Sequence, residues 1–326
     1  MIPGWAFRKI EEVKENKRRI LLLRPGRNQK ELREFPRQVL ELKQLETLAI
    51  TSSRVPSIPS DIAQLTALQT LTVMDTHITE VPDSLRKLTK LRNLCLRENR
   101  IQHLPEAWPA SLTSLSLGDN PLDALPRGLF QLKRLRTLEL NGCALQTLPS
   151  EIGQLRNLRT LELARNNLTE LPEEIGQLKN LTTLALSFND LHASEYPSDL
   201  RGMLKLKTLN LYHSPLGELP SGITTLPALE ALDVQYCQLE RLPPAIGRLT
   251  HLKELGLAIN KITQLPPEIG QLTNLHVLHL EENPLKDLPE AFANLVNLRT
   301  LYLPGGITND HPVLLDMRRR QKLWSD

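Results

Sequence analysis

The chain has 326 residues and a formal net charge of +3, from 40 Lys and Arg against 37 Asp and Glu. This near balance argues against a whole-protein field that would attract nucleic acid or an anionic membrane. Leucine supplies 70 residues whereas Phe, Tyr and Trp together supply 12, which favours a repeated aliphatic packing unit over two ordinary domains. Three cysteines exclude a disulfide framework, because one thiol would be left over, and they favour a reducing compartment.

Residues 1–36 are predicted to form an N-terminal cap that consists of a helix and a degenerate strand. Phe7, Ile10 and Val13 are separated by charged residues and predict one apolar face of an amphipathic helix, and Ile20–Leu23 predicts the strand. No apolar stretch here has the length of a signal-peptide core or of a membrane span. We therefore expect a cytoplasmic location, with secretion into a host cell as the alternative.

Residues 37–304 repeat the pattern L-x-x-L-x-L in about twelve units. The middle Leu of each unit follows the previous one by 23 residues in nine of eleven intervals, by 21 in one and by 25 in one. The alternation of Leu with polar residues predicts a short strand with one buried face in every unit. The middle residues are Leu48, Leu71, Leu94, Leu115, Leu138, Leu161, Leu184, Leu209, Leu232, Leu255, Leu278 and Leu301.

Two further positions in each unit have a predicted structural role. The fifth residue after the middle Leu is Asn in six units, and its amide is expected to bond backbone groups where the chain leaves the strand. Ser, Thr or Cys takes this place in five other units. A Pro follows later, usually in L-P-x-x-I-G-x-L, and its fixed φ prevents the strand from continuing. Because no unit buries its own apolar face, stacked neighbours are predicted to share a continuous core.

These motifs, clearest from Leu158 to Leu178, resemble those of the leucine-rich repeat family along about four-fifths of the chain. The L-P-x-x-I-G-x-L ending is similar to that of bacterial repeat proteins and of plant intracellular Ras-group repeat proteins. The charged opening helix looks like the start of bacterial Roco-type arrays, although the chain contains no phosphate-binding loop of a Roco GTPase domain. The resemblance implies a right-handed α/β solenoid, or horseshoe, with a parallel concave sheet and capped ends. It also implies that another protein binds on the concave side.

Residues 305–326 are predicted to form a C-terminal cap. Asp310, His311 and Pro312 favour the start of a helix that continues through Trp324, with Val313, Leu314 and Met317 covering the last repeat.

Two units depart from the 23-residue length. The unit between Pro105 and Leu115 is two residues short in the segment behind the sheet. The 25-residue unit has its extra residues around His192 to Tyr196. That insertion is either a tolerated loop or a contact loop at the rim of the binding face.

The candidate binding surface is a group of aromatic side chains on neighbouring predicted strands. The residues one before, one after and three after the middle Leu face solvent on the concave side, and the fourth residue after it lies at the rim. Three of the 12 aromatic residues fall at such places in three consecutive units, beside a histidine, and aromatic residues beside charges are typical of interface hot spots. The alternative is that these rings pack against the turn and stiffen it. The predicted partner-binding residues are Phe188, Tyr212, His213, Tyr236, Asp233, Glu139, Glu162 and Arg165.

No catalytic, cofactor or metal site is predicted. Cys143 and Cys237 stand at the Asn position and are expected to be buried fillers, whereas Cys95 faces the open side with no histidine positioned to activate it. His276 and His279 are three residues apart on a strand, a spacing that sends their side chains to opposite faces. Neighbouring carboxylates at positions 139 and 162 lie on an open surface that offers no pocket to shift their pKa values.

The sequence therefore predicts a non-enzymatic protein. It is expected to act as a monomeric scaffold or adaptor in intracellular signalling, without cofactors, and to bind another protein rather than nucleic acid or a membrane. The alternative is a bacterial effector or host-interaction protein that recruits a host target.

Overall fold

A computed structural model describes residues 2–321 of the chain, with side chains described through Arg319. Within these residues the chain forms two α-helices, α1 (Gly4–Glu15) and α2 (Pro312–Gln321), and thirteen strands. The strands are β1 (Ile20–Leu23), β2 (Thr47–Thr51), β3 (Thr70–Met74), β4 (Asn93–Cys95), β5 (Ser114–Ser116), β6 (Thr137–Glu139), β7 (Thr160–Glu162), β8 (Thr183–Ala185), β9 (Thr208–Asn210), β10 (Ala231–Asp233), β11 (Glu254–Gly256), β12 (Val277–His279) and β13 (Thr300–Tyr302).

The chain divides into two compact units, each built on a parallel sheet. The first comprises the residues up to Leu145 together with Gln154–Leu161, and the second comprises Gln146–Gly153 together with the described residues from Glu162 onward. In each unit the strand order follows the order of the chain, and every paired strand is parallel to its neighbour. The middle Leu residues stand opposite one another, as Leu209 stands opposite Leu232 and Leu232 opposite Leu255.

The strand count differs from the twelve repeats read in the sequence. Strand β1, which we had assigned to the cap, pairs with β2 over all four of its residues, from Ile20 opposite Thr47 to Leu23 opposite Ile50. It does so because Leu21 and Leu23 face the core with the same alternation as the regular repeats. The sheet therefore begins one strand earlier than predicted.

The buried side of each sheet is packed with the leucines of the repeat, and the return path behind it is a short 3₁₀ helix. In the unit around β7, Leu158, Leu161 and Leu163 have no exposed surface. Pro precedes most of the 3₁₀ helices, and the Ile of the I-G-x-L motif is buried beneath them, as Ile175 and Ile269 are. These helices are Arg37–Glu41, Ser60–Gln64, Asp83–Lys87, Arg127–Gln131, Ser150–Gln154, Glu173–Gln177, Ala193–Glu195, Ser221–Thr225, Pro244–Arg248, Pro267–Gln271 and Glu290–Asn294.

Helix α1 packs against β1 through a face that contains two of the three predicted apolar residues. Ala6, Ile10 and Val13 are buried, and Phe7 is 47% exposed. The buried residues follow the i, i+4, i+7 spacing of one helical face, from which Phe7 is rotated by about 100°. Trp5 completes the contact, because its indole Nε1 donates a hydrogen bond to the Lys30 carbonyl at 2.9 Å. The expectation for Phe7 was therefore wrong.

Helix α2 packs against the 3₁₀ helix Glu290–Asn294. Leu314 and Met317 are buried, whereas Val313 is half-buried. The predicted continuation of this helix through Trp324 lies outside the described residues. Among residues 2–321, no helix has the length and apolar character required to cross a bilayer.

Candidate protein-binding surface

The rim position, the fourth residue after the middle Leu, has left-handed backbone geometry throughout the array. Eleven successive units have a positive φ there, including Arg165 (57°), Phe188 (56°), His213 (58°) and Tyr236 (58°). The geometry turns the chain off the strand, and the rim amide donates to the next unit, as Phe188 N does to the Tyr212 carbonyl at 2.9 Å. Because residues as different as Ser, Asp and Ile also adopt it, this strain belongs to the repeat and not to a special site.

The four predicted rings form one contiguous cluster, which we call the aromatic row. Phe188 stacks on His213 with ring centroids 5.0 Å apart, and His213 stacks on Tyr236 at 5.5 Å, both at 22°. Tyr212 lies beside this stack, 5.3 Å from Phe188 and 5.6 Å from Tyr236. Phe188 and Tyr236 remain 40% and 42% exposed, so the rings contact one another and still present apolar surface to solvent.

Arg165 closes one end of the aromatic row. Its guanidinium lies 5.4 Å from the centroid of the Phe188 ring, which is within the range of a cation–π contact. Arg165 and Phe188 both occupy the rim position, in consecutive repeats, so the repeat spacing places the cation over the ring. The row therefore combines apolar rings with one positive charge at its first end.

Asp233 supports the turn that carries Tyr236. Its Oδ1 accepts a hydrogen bond from the Gln235 backbone amide at 3.1 Å, and Asn210 Oδ1 accepts one from Tyr212 N in the same way in the preceding unit. Asp233 is half-buried, and this burial raises the pKa of its carboxyl. Its predicted role in charge selectivity is thus combined with a structural one.

The two glutamates in the predicted set lie outside the aromatic row. Glu139, in the first of the two compact units, accepts a hydrogen bond from Ser116 Oγ at 2.8 Å and lies 3.8 Å from the Arg97 guanidinium. Its charge is therefore already offset within that unit. Glu162 is a half-buried residue at the end of β7.

A groove of about 680 Å³ lies beside the aromatic row, within the second unit. The groove is lined by the rim residues of four successive repeats, Phe188, His213, Tyr236 and Ile259. The residue two positions after each of them also lines it, and two of these, Asp190 and Lys261, carry opposite charges. The sequence pattern did not reveal this groove, because it depends on how the rim residues project. Its apolar wall and charged borders suit a segment of another polypeptide.

A second ring stack on the open face was also missed. His279 and Tyr302, each directly after a middle Leu, stack with centroids 4.5 Å apart at 12°, and His279 Nδ1 lies 3.0 Å from Glu281 Oε1. The available signal was their shared position in neighbouring units, which strand pairing brings opposite each other.

The thiols are poorly suited to nucleophilic chemistry. Burial raises the pKa of Cys143 to about 11 and that of Cys237 to about 12, and both side chains are fully buried, as predicted. Half-buried Cys95 also has a raised pKa, chiefly through burial. A thiol in this state is mostly protonated at neutral pH, and the thiolate is the reactive form. No group of three His, Cys, Asp or Glu side chains that could hold a metal ion occurs among residues 2–321.

A family model described as "Leucine-rich repeat region" matches residues 123–195 and 244–325. Solved structures that resemble the chain over most of its length are leucine-rich repeat proteins as well. One is a leucine-rich repeat protein of Leptospira interrogans, with a TM-score of 0.76 and 29% identity over 90% of this chain and 86% of that one. This chain is a leucine-rich repeat protein. Proteins of this family are commonly scaffolds for protein–protein interaction and are typically non-enzymatic.

Two other similar structures extend the comparison of this leucine-rich repeat protein. An internalin (inlF) of Listeria monocytogenes has a TM-score of 0.79 at 24% identity. The match covers 94% of this chain and 86% of the internalin chain, which shows a common fold. A plant peptide hormone receptor, RGFR1 in complex with RGF2, has a TM-score of 0.68 at 26% identity. It covers 87% of this chain, which spans 51% of the receptor chain. The search of curated protein sequences gave no match.

Proposed function

We propose that this leucine-rich repeat protein is a non-enzymatic scaffold or adaptor that binds a protein partner through the aromatic row. The observation that carries the proposal is the row itself, in which four rings lie within about 6 Å of a neighbour on three successive units. Rings of this kind supply large contact area at a small cost in side-chain entropy. The similar plant structure, described as a peptide hormone receptor in complex with RGF2, also supports a polypeptide ligand.

The groove beside the row supports binding of an extended segment. It runs from the unit of Asn166 to that of Asn260, four strand spacings along the sheet, or roughly 19 Å at about 4.8 Å per strand. That length corresponds to about six residues of extended polypeptide. Arg165 and Asp190 at one end and Lys261 at the other would orient a segment whose charges complement them.

We place this activity in the cytoplasm, in a signalling pathway of the producing cell. The three cysteines form no disulfide, and two of their thiols donate hydrogen bonds to backbone carbonyls, which supports a reducing compartment. The alternative is delivery into a host cell, where the same row would recruit a host protein.

The test is a comparison of two double variants with equal chemistry. Phe188→Ala with Tyr236→Ala removes the two exposed rings of the row, whereas Phe7→Ala with Tyr302→Ala removes one exposed Phe and one exposed Tyr elsewhere. Each protein is used as bait in an extract of the producing cell, and a captured partner is then titrated by calorimetry. We expect the row variant to bind at least about tenfold more weakly than wild type, because two hot-spot rings are lost. The control should bind within about twofold.

Thermal unfolding distinguishes binding from packing. If the row variant loses several degrees of Tm while its affinity is unchanged, the rings serve the turn and the proposal fails. Capture from a host extract but not from the producing cell would replace the adaptor with the effector alternative. The absence of any captured protein from both extracts would contradict both.

A further inference from the structure

The residues that stand two positions before the middle Leu of each repeat form a column in the first compact unit, at the edge of the sheet where the chain enters each strand. Backbone hydrogen bonds of 2.7–2.8 Å join the members of this column from strand to strand. The amide of each member donates to the carbonyl of the preceding member, along the series Gln69, Arg92, Thr113, Arg136 and Arg159. Adjacent members therefore lie about 4.8 Å apart. No acidic residue stands in this column from Gln69 to Arg159.

More cations occur immediately before this column. Lys90, Lys133, Arg134 and Arg156 precede Arg92, Arg136 and Arg159 by two or three residues. All seven side chains are exposed and all belong to the first unit. We call them the basic edge, which consists of Lys90, Arg92, Lys133, Arg134, Arg136, Arg156 and Arg159.

Elsewhere in the chain, several charges of the same column are compensated within the protein. In the second unit, Glu230 lies between Lys207 and Lys253 and forms an ion pair of 2.7 Å with each. At the start of the array, Arg19 pairs with Glu46 at 2.6 Å. The side chains of Arg92 and Arg136 make no such pair with any described residue. Because neither of these two guanidinium groups is offset by a carboxylate, the positive field along this part of the column favours an external anion.

Two kinds of anionic partner fit this surface poorly. Single-stranded nucleic acid binds through exposed rings on which bases stack, and none of the large exposed rings lies between Leu22 and Phe188. Insertion into a bilayer needs exposed apolar side chains, whereas none of the large exposed ones lies between Leu22 and Phe188. Wide anionic surfaces would also meet Glu98 and Asp119 at the opposite ends of the same strands.

We infer that the basic edge is a second interaction surface, which binds an acidic, extended segment of a partner protein. The distance from Arg92 to Arg159 spans three strand spacings, or about 14 Å, which corresponds to four or five residues of extended chain. Guanidinium groups bind carboxylates in a bidentate way, so a run of three or more Asp or Glu residues matches the column. This surface is independent of the aromatic row, which lies in the other unit.

The probe is a fluorescein-labelled peptide of eight consecutive Glu residues, with an otherwise equal peptide of eight Gln as its uncharged counterpart. Anisotropy is measured at about 50 and 200 mM NaCl, because screening weakens contacts between exposed charges. The test variant is Arg92→Glu with Arg136→Glu. The control, Arg24→Glu with Arg33→Glu, makes the same change in net charge at exposed positions of the same unit.

We expect the acidic peptide to bind the wild type and to lose affinity by at least about tenfold in the test variant, against less than about twofold in the control. Equal losses in both variants would reduce the effect to net charge and overturn the inference. It also fails if wild type does not prefer the Glu to the Gln peptide, or if a polyuridine oligonucleotide or phosphatidylserine vesicles bind the same arginines more tightly.

Two further variants keep the test decisive. Arg92→Gln with Arg136→Gln removes the charges without reversing them, in case the Glu variant does not fold. Phe188→Ala with Tyr236→Ala should still bind the acidic peptide with wild-type affinity, which separates this surface from the proposed function. Loss of peptide binding in that variant would contradict the independence of the two surfaces.

Discussion

At the scale of single residues, each repeat is fastened by the side chain five places after its middle Leu. The amide of Asn260 donates to the carbonyls of Val234, Leu257 and Ala258, and its Oδ1 accepts from two backbone amides of the preceding unit. Cys237 holds the equivalent place with a thiol that donates to the Leu211 carbonyl at 3.1 Å. Asn260 thus joins two repeats in both directions, whereas the side chain of Cys237 lacks the amide oxygen that accepts the second set of bonds.

Asn260→Ala is accordingly predicted to lower the free energy of unfolding by about 2–4 kcal/mol, since several buried backbone groups lose their partner at once. Cys237→Ala should cost about 1–2 kcal/mol, because only a weak S–H donor and a small volume are removed. Urea unfolding followed by circular dichroism measures both. Equal losses for the two variants would mean that volume, and not hydrogen bonding, decides the position.

At the scale of elements, the 3₁₀ helices behind the sheet decide how closely neighbouring units approach. Gly176 and Gly270 hold the same place in the I-G-x-L motif, yet their surroundings differ. A Cβ at Gly270 would lie 2.1 Å from the Ala291 carbonyl oxygen, whereas one at Gly176 would lie 3.4 Å from the Asp199 carbonyl. The 25-residue unit follows Gly176, and its extra residues form the 3₁₀ turn Ala193–Glu195. One motif glycine is therefore required by contact and the other is not.

Gly270→Ala should destabilise the protein by about 1–3 kcal/mol or more, because backbone would have to move to admit the methyl group. Gly176→Ala should be neutral or stabilising by up to about 1 kcal/mol, since the unfolded chain loses freedom and the methyl group would make only an ordinary van der Waals contact. The pair of Tm values tests this directly. A similar drop in both would show that the motif glycine is needed for backbone conformation instead.

At the scale of the whole molecule, the chain is built from local neighbours. Within each compact unit, the strands pair with the strands next to them in the sequence, so a repeat stabilises mainly the repeats that flank it. Stability is therefore expected to vary along the array and not to be a single property of the chain.

Hydrogen exchange should show this locality in a reciprocal way. Asn260→Ala is expected to reduce amide protection in β10 to β12 and to leave β2 to β4 near wild type. The side-chain amide of Asn99 donates to the Val73 and Leu96 carbonyls. Asn99→Ala should therefore reduce amide protection in β3 to β5 and leave β11 to β13 near wild type. A uniform loss of protection in both variants would indicate one cooperative unit and refute the nearest-neighbour account.

The repeat determined most of the fold in advance. Strand positions, the buried Leu pairs and the Asn contacts follow from a residue pattern that recurs at a fixed spacing, because each of these interactions is local to one turn or to its neighbour. The errors arose where that regularity ends. Phe7 belongs to a helix with only one copy. Strand β1 lies at the predicted residues, but it was not counted among the strands of the sheet because it precedes the first full motif.

The binding surfaces were only partly predictable. The sequence by itself assigned Phe188, Tyr212, His213 and Tyr236 to neighbouring places, since the position within the unit specifies the face and the strand. Only the tertiary structure showed that their rings stack, that Arg165 covers one end, and that Glu139 is held by its own unit. It also distinguished Arg92 and Arg136, which form no ion pair with a described residue, from Glu230 and its two lysine partners in the same column. The physical reason is that repeat spacing fixes backbone register, whereas stacking, ion pairing and exposure depend on side-chain directions and on the charges of adjacent strands.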